Sequence, residues 1–191
     1  MKKRFLALAL AGVLALSFSG CITSSLGGAK DEPVEITLGD TPLRIGETTV
    51  KTMLDAGFEL FPVGDESVPL DEHMILEPDS VYDGITMLRG EEDYGLLGVT
   101  TESESVPLED AIIYDLNMDV EIDSSMEMVS IQGKKLVDLT MEELHEMLPG
   151  SDMDEDSVNV STENFQSWFY YDEEGKLEEL AIHQQFDIDY Q

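Results

Sequence analysis

The sequence predicts an α+β protein made of two related modules, each a short helix packed on an antiparallel β-sheet, after an N-terminal signal helix. Alternating apolar and polar residues predict several half-buried strands. The same short helical spacing occurs once in each half of the chain. The apolar fraction of 42% is near the globular average, so a core can form. A single continuous sheet that carries both helices is the alternative.

The first 20 residues have the pattern of an export signal. Three basic residues precede an uninterrupted apolar run at 5–16, which is too short for the roughly 20 residues of a membrane-spanning helix but suits a signal peptide. The small residues Ser19 and Gly20 lie directly before Cys21, the one cysteine of the chain. Residues 21–33, which are rich in Ser and Gly, are expected to form a flexible tether.

The segment that ends at Cys21 resembles the lipobox of bacterial lipoproteins, with Phe18 at a position where that motif usually has Leu. The resemblance implies that the Cys21 thiol receives a diacylglycerol and that cleavage removes residues 1–20. The protein would then be anchored to membrane lipid on the extracytoplasmic face of the cell membrane. A secretory signal with an incidental cysteine, or an uncleaved anchor, is the alternative.

The first module is predicted over residues 34–122. Its hairpin turns at Gly39-Asp40, and Pro42 places the second arm at a sheet edge. Val50, Met53 and Leu54 then have helical spacing, with Gly57 as the C-terminal stop. Several strands follow. The clearest has Ile112, Tyr114, Leu116, Met118 and Val120 on its apolar face.

The second module is predicted over residues 126–191 and repeats this order. A strand and a turn lead to Thr140 and Glu143, whose spacing predicts a capping box at the start of a helix. Strands are predicted at 164–171 and 180–190. Alternation in the first of these must turn outward one of two aromatic pairs, either Trp168 with Tyr170 or Phe169 with Tyr171.

The charge excludes several classes of function. The chain has 42 acidic and 10 basic residues and a net charge of −32. Nucleic-acid binding requires a basic surface, and adsorption to bare anionic lipid requires one too, so we expect neither. One cysteine also excludes an intramolecular disulfide framework.

One acidic segment has the spacing of a calcium-binding loop. Asp152, Asp154, Asp156 and Glu163 occupy positions 1, 3, 5 and 12 of such a loop. Against this, Ser157 stands at position 6, where the turn requires glycine, and Pro149-Gly150 interrupts the preceding helix. A solvated acidic loop is therefore favoured over a calcium site, and no other cofactor is expected.

No catalytic motif is found. The sequence lacks a nucleophile elbow, a zinc-protease motif and a phosphate-binding glycine loop. Its histidines, His73, His145 and His183, fall on different predicted elements. We therefore expect a non-enzyme.

Residues 34–60 (VEITLGDTPLRIGETTVKTMLDAGFEL) and 130–150 (SIQGKKLVDLTMEELHEMLPG) resemble small Gram-positive bacterial lipoproteins of unassigned activity. More distantly, the helix-then-strands plan is similar to the beta-lactamase inhibitory protein and to BamE. The resemblance implies a protein-binding or scaffolding role with an unidentified protein partner. The alternatives are a carboxylate-rich calcium-binding or hydrolytic surface protein, or an enzyme inhibitor.

Overall fold

The computed structural model of the protein describes residues 30–120 and 125–186. Residues 1–20, Cys21 and most of the predicted tether lie outside the described residues, and so does the end of the last predicted strand. Within the described ranges, none of the helices combines the length and apolar character needed to cross a bilayer.

The described chain is α+β, with antiparallel strands predominating over helices. The helices are α1 (Val50–Asp55) and α2 (Met141–Met147), with 3-10 turns at Leu108–Asp110, Met126–Met128 and Leu136–Asp138. The strands are β1 (Glu35–Leu38), β2 (Thr41–Arg44), β3 (Glu59–Pro62), β4 (Ile75–Leu76), β5 (Val81–Arg89), β6 (Glu92–Thr100), β7 (Val106–Pro107), β8 (Ile112–Asp119), β9 (Val129–Ile131), β10 (Lys134–Lys135), β11 (Asp152–Met153), β12 (Ser157–Ser161), β13 (Phe165–Tyr171) and β14 (Leu177–Gln184).

The strands form an eight-stranded sheet in the order β11-β12-β13-β14-β8-β6-β5-β3, a four-stranded sheet in the order β10-β9-β1-β2, and the pair β4-β7. Both larger sheets combine strands from the two halves of the chain. In the large sheet Leu180 of β14 lies opposite Met118 of β8, and in the smaller one Leu38 of β1 lies opposite Val129 of β9. The halves therefore share two continuous sheets, whereas the alternative left open by the sequence was a single sheet that carries both helices.

Helix α2 begins with the predicted capping box. The Thr140 hydroxyl accepts a hydrogen bond from the Glu143 backbone N–H at 3.2 Å, and the Glu143 carboxylate accepts one from the Thr140 N–H at 3.1 Å. Both N–H groups would otherwise lack a partner inside the helix. Helix α1 has Thr49 at the same position but no side-chain cap, so tertiary packing stabilises it.

The hydrophobic core lies on one face of the large sheet. Val50 and Met53 of α1, together with Leu144 of α2, pack there with apolar residues of both larger sheets. The helices and the four-stranded sheet thus cover the same face. The opposite face of the large sheet, which we call the outer face, is formed by the alternate residues of its strands.

Strand β8 departs from the alternation that its sequence predicts. Val99 of β6 pairs with Ile113, whereas the neighbouring Gly98 pairs with Asp115, so Tyr114 is an extra residue at a β-bulge. As a result Ile113 enters the core with Leu116 and Met118, and Tyr114 does not. The predicted apolar face is therefore wrong at its N-terminal end.

Candidate functional site on the outer face

The outer face carries three rows of residues in register, because directly opposed residues of antiparallel strands lie on one face. The central row crosses all eight strands: Asp152, Asn159, Trp168, Ala181, Asn117, Leu96, Thr86 and Phe61. The second row is Ser161, Gln166, His183, Asp115 and Gly98. The third row is Ser157, Tyr170, Glu179 and Asp119.

Aromatic side chains occupy one part of this face. The rings of Trp168 and His183 lie 4.8 Å apart between centroids, inclined at 44°. The Nε2 atom of His183 lies 3.1 Å from Oε1 of Gln166, and burial lowers the pKa of His183. Phe169 is buried in the core, while Trp168 is half-buried on the outer face. Of the two predicted aromatic pairs, the structure thus turns the one containing Trp168 outward.

A half-buried carboxylate lies next to the aromatic group. Asp115 stands opposite His183 in the register of β8 and β14 and accepts a hydrogen bond from the Asn117 side-chain amide at 2.7 Å. Burial, and after it the negative charge of Asp83, raise the pKa of Asp115 to about 6, although the hydrogen bond from Asn117 acts in the opposite direction. Removing a carboxylate from water disfavours its charged form, and a second anion nearby adds to this effect.

Tyr114, which directly precedes Asp115 in β8, contacts the second carboxylate, Asp83. Its hydroxyl donates a hydrogen bond to the Asp83 carboxylate, and its ring lies 5.3 Å from that of Phe186. A Cβ atom at Gly98 would come within 2.6 Å of the Tyr114 ring and 2.8 Å of an Asp83 oxygen. Glycine at 98 therefore makes room for this arrangement. Burial, followed by the contact with Asp83, raises the pKa of Tyr114, which keeps the phenol protonated as a donor.

The cationic side chains of the described chain lie elsewhere. No residue of the three rows is Lys or Arg. The Lys and Arg ion pairs of the described residues are Arg44 with Glu35 and Glu47, Lys51 with Asp55 and Glu109, Arg89 with Asp40, and Lys176 with Glu174. Neither Asp83 nor Asp115 belongs to one of these pairs.

The acidic segment with calcium-loop spacing forms a β-hairpin. The N–H of Asp154 donates to the Ser157 carbonyl at 2.9 Å, and β11 pairs with β12 on either side of this turn. Val158 and Val160 are buried, so the segment extends the sheet instead of surrounding an ion. The four predicted ligands, all exposed, are Asp152, Asp154, Asp156 and Glu163. Among the described residues no group of three or more His, Cys, Asp or Glu side chains could hold a metal ion.

A histidine and a serine meet at the end of α2, outside the outer face. The Nδ1 atom of His145 lies 2.8 Å from the Ser151 hydroxyl oxygen. That hydroxyl also lies 2.7 Å from the Leu148 carbonyl oxygen, to which it donates. Ser151 is buried, and its hydroxyl satisfies a carbonyl at the helix C-terminus. The contact therefore has a structural explanation.

Comparison with protein-family models, with curated proteins and with solved structures found no match. The resemblance to bacterial lipoproteins and to BamE therefore stays a prediction.

Proposed function

We propose that the protein is a membrane-anchored extracytoplasmic lipoprotein that binds another protein through its outer face and does not catalyse a reaction. The observation that carries the proposal is the combination of Trp168, Tyr170 and Tyr114 with hydrogen-bonding side chains on one sheet face. Aromatic residues are enriched in protein interfaces, where their rings bury apolar area and their polar atoms find partners.

The strand order supports two related modules, over residues 34–122 and 126–191. From its centre the large sheet reads β8-β6-β5-β3 in one direction and β14-β13-β12-β11 in the other. Each half also contributes a hairpin and a short helix before its sheet strands. We infer a duplicated unit whose last strands pair with one another. The pairing doubles the width of the outer face, which favours recognition of a surface as large as that of a folded protein.

The anchor in this proposal is Cys21. A tether over residues 21–33 would span about 20 Å when flexible, so the folded part would stay close to the membrane. Cys21→Ala is expected to abolish labelling by fatty acid and to release the protein or leave an unprocessed precursor. If the wild-type protein takes up no labelled fatty acid and partitions into the aqueous phase of a detergent extraction, the anchor is refuted.

Site-specific photocrosslinking in the native host tests protein binding. A benzophenone amino acid at Tyr170 probes the outer face, and the same amino acid at Lys134 serves as the matched control. Lys134 is exposed and lies in the edge strand β10 of the smaller sheet. We expect one discrete adduct from position 170 and not from position 134. Identical adduct patterns, or no adduct at position 170, would contradict binding through the outer face.

A further inference from the structure

Within residues 30–120 and 125–186, no Lys or Arg pairs with the carboxylates around Tyr114. Asp115 is half-buried, and from the described part of the chain its carboxylate accepts one side-chain hydrogen bond, which comes from the neutral Asn117 amide. Asp83 is exposed and bonded to the neutral Tyr114 hydroxyl. The two anions repel each other across this short stretch of the sheet. Desolvating a carboxylate is unfavourable unless a cation or several donors compensate it, so a positive ligand would stabilise the arrangement.

We propose that the outer face docks a basic surface of its protein partner, and that one arginine of that partner is seated between Asp115, Asp83 and the ring of Tyr114. The inference rests on the proposed function and adds the chemistry of the partner. A guanidinium is flat, donates five hydrogen bonds in fixed directions and stacks on aromatic rings. It can therefore bond carboxylates at its edge while its plane contacts Tyr114 or Phe186.

The charge of the whole molecule favours the same partner. A net charge of −32 attracts basic proteins over a distance and raises their rate of encounter. No Lys or Arg in the three rows of the outer face opposes such an approach. A divalent metal ion is a poorer occupant, because calcium requires six to eight oxygen ligands and the described residues supply no three-ligand group.

Peptide binding to the full-length protein in uncharged detergent micelles tests the inference. The probes are three fluorescent peptides of one Gly-Ser framework that carry two arginines, two lysines or two citrullines. Citrulline has nearly the shape of arginine without its charge. We expect the arginine peptide to bind most tightly and the citrulline peptide about tenfold or more weakly, as the loss of a charge-assisted hydrogen bond implies.

Asp115→Asn and Asp156→Asn form a matched pair of variants. Each removes one negative charge, but Asp156 is exposed in the β11–β12 turn. We expect Asp115→Asn to weaken the arginine peptide about tenfold or more and Asp156→Asn to leave its Kd nearly unchanged. Asp83→Asn is the second test of arginine binding. Because Asp83 is exposed, lost binding in this variant cannot be attributed to misfolding.

Several results would overturn the inference. Equal effects of Asp115→Asn and Asp156→Asn would show that overall charge alone attracts the peptides. Equal binding of the citrulline peptide, absence of binding, or equally tight binding of free arginine methyl ester would also overturn it. If the photocrosslinked adduct at position 170 still forms in any of these cases, the outer face binds a protein, but not through an arginine at Asp115. Loss of that adduct refutes the proposed function itself.

Discussion

Asp115→Asn is expected to stabilise the folded protein at neutral and alkaline pH. The carboxylate is half-buried, and its pKa rises from 3.8 to about 6, first because of burial and then because of Asp83. The amide has nearly the same shape, carries no charge and can still accept the hydrogen bond of Asn117. The substitution therefore removes a desolvated charge without leaving a cavity.

The magnitude follows from the pKa difference between the folded and unfolded states. At 1.36 kcal/mol per pKa unit, a rise from 3.8 to about 6 corresponds to about 3 kcal/mol. Asp115 keeps contact with water, and screening reduces this value. We therefore expect Asp115→Asn to raise the free energy of unfolding by about 1–2 kcal/mol at pH 8.

The size of this stabilisation depends on pH. Because its pKa is raised in the folded state, the folded protein holds the Asp115 proton more tightly than the unfolded chain does. The stability that this proton contributes is fully present below pH 3.8 and is lost as the pH rises through about 6. The difference between Asp115→Asn and wild type should therefore be near zero at pH 4, grow up to about pH 6 and stay constant above it.

Urea unfolding of the chain from Ser24 onward, followed by tryptophan fluorescence, measures this difference at a series of pH values. Asp156→Asn is the control and should change stability little at any pH. A constant difference across the series would mean that Asp115 has an ordinary pKa. A destabilised Asp115→Asn variant at pH 8 would mean that its charge is already compensated, which would also weaken the inference of an arginine partner.

Three further predictions concern stability and use the same unfolding measurement. Gly90→Ala should lower the free energy of unfolding by roughly 1 kcal/mol, because the residue has a positive φ that strains any residue with a Cβ. Gly95→Ala should lower it clearly more, since a Cβ at this position would in addition overlap the Asn117 carbonyl oxygen. Equal losses of stability in the two variants would contradict this packing. Thr140→Ala should cost about 1 kcal/mol by removing the capping box, whereas Thr49→Ala should change little because α1 has no side-chain cap; a reversed order would refute this difference. The free energy of unfolding should rise with NaCl, because salt shortens the Debye length from about 30 Å at 0.01 M to about 10 Å at 0.1 M and so screens the repulsion among the carboxylates. CaCl₂ at matched ionic strength should raise it by the same amount. A larger rise in CaCl₂ would indicate that the folded protein binds calcium.

Asp115 links stability with function in this protein. The charge that is expected to destabilise the free fold is the charge that would bind the arginine of the partner. Asp115→Asn should therefore produce a more stable protein that binds less well, a trade-off common at binding sites. A variant that loses both stability and binding would instead indicate that Asp115 acts mainly in the fold.

Local sequence patterns predicted much of the secondary structure. The capping box at Thr140, the turn at Gly39 and the short helix at Val50 depend on neighbours within a few residues, and all three are observed. The acidic spacing at 152–163 did not by itself specify a loop around an ion, and the sequence already favoured a solvated acidic segment there. Burial of Val158 and Val160 determined a hairpin instead.

Other features were decided only by tertiary structure. The pairing of β8 with β14 joins strands that are distant in the chain, and no local pattern specifies such a partner. Alternation left two orientations for the strand of Trp168, and packing against the core selected one. The bulge at Tyr114 placed its side chain beside Gly98 and Asp83 on the outer face, which simple alternation did not predict. A strand's sequence limits which residues share a face, but its neighbours determine which face is buried.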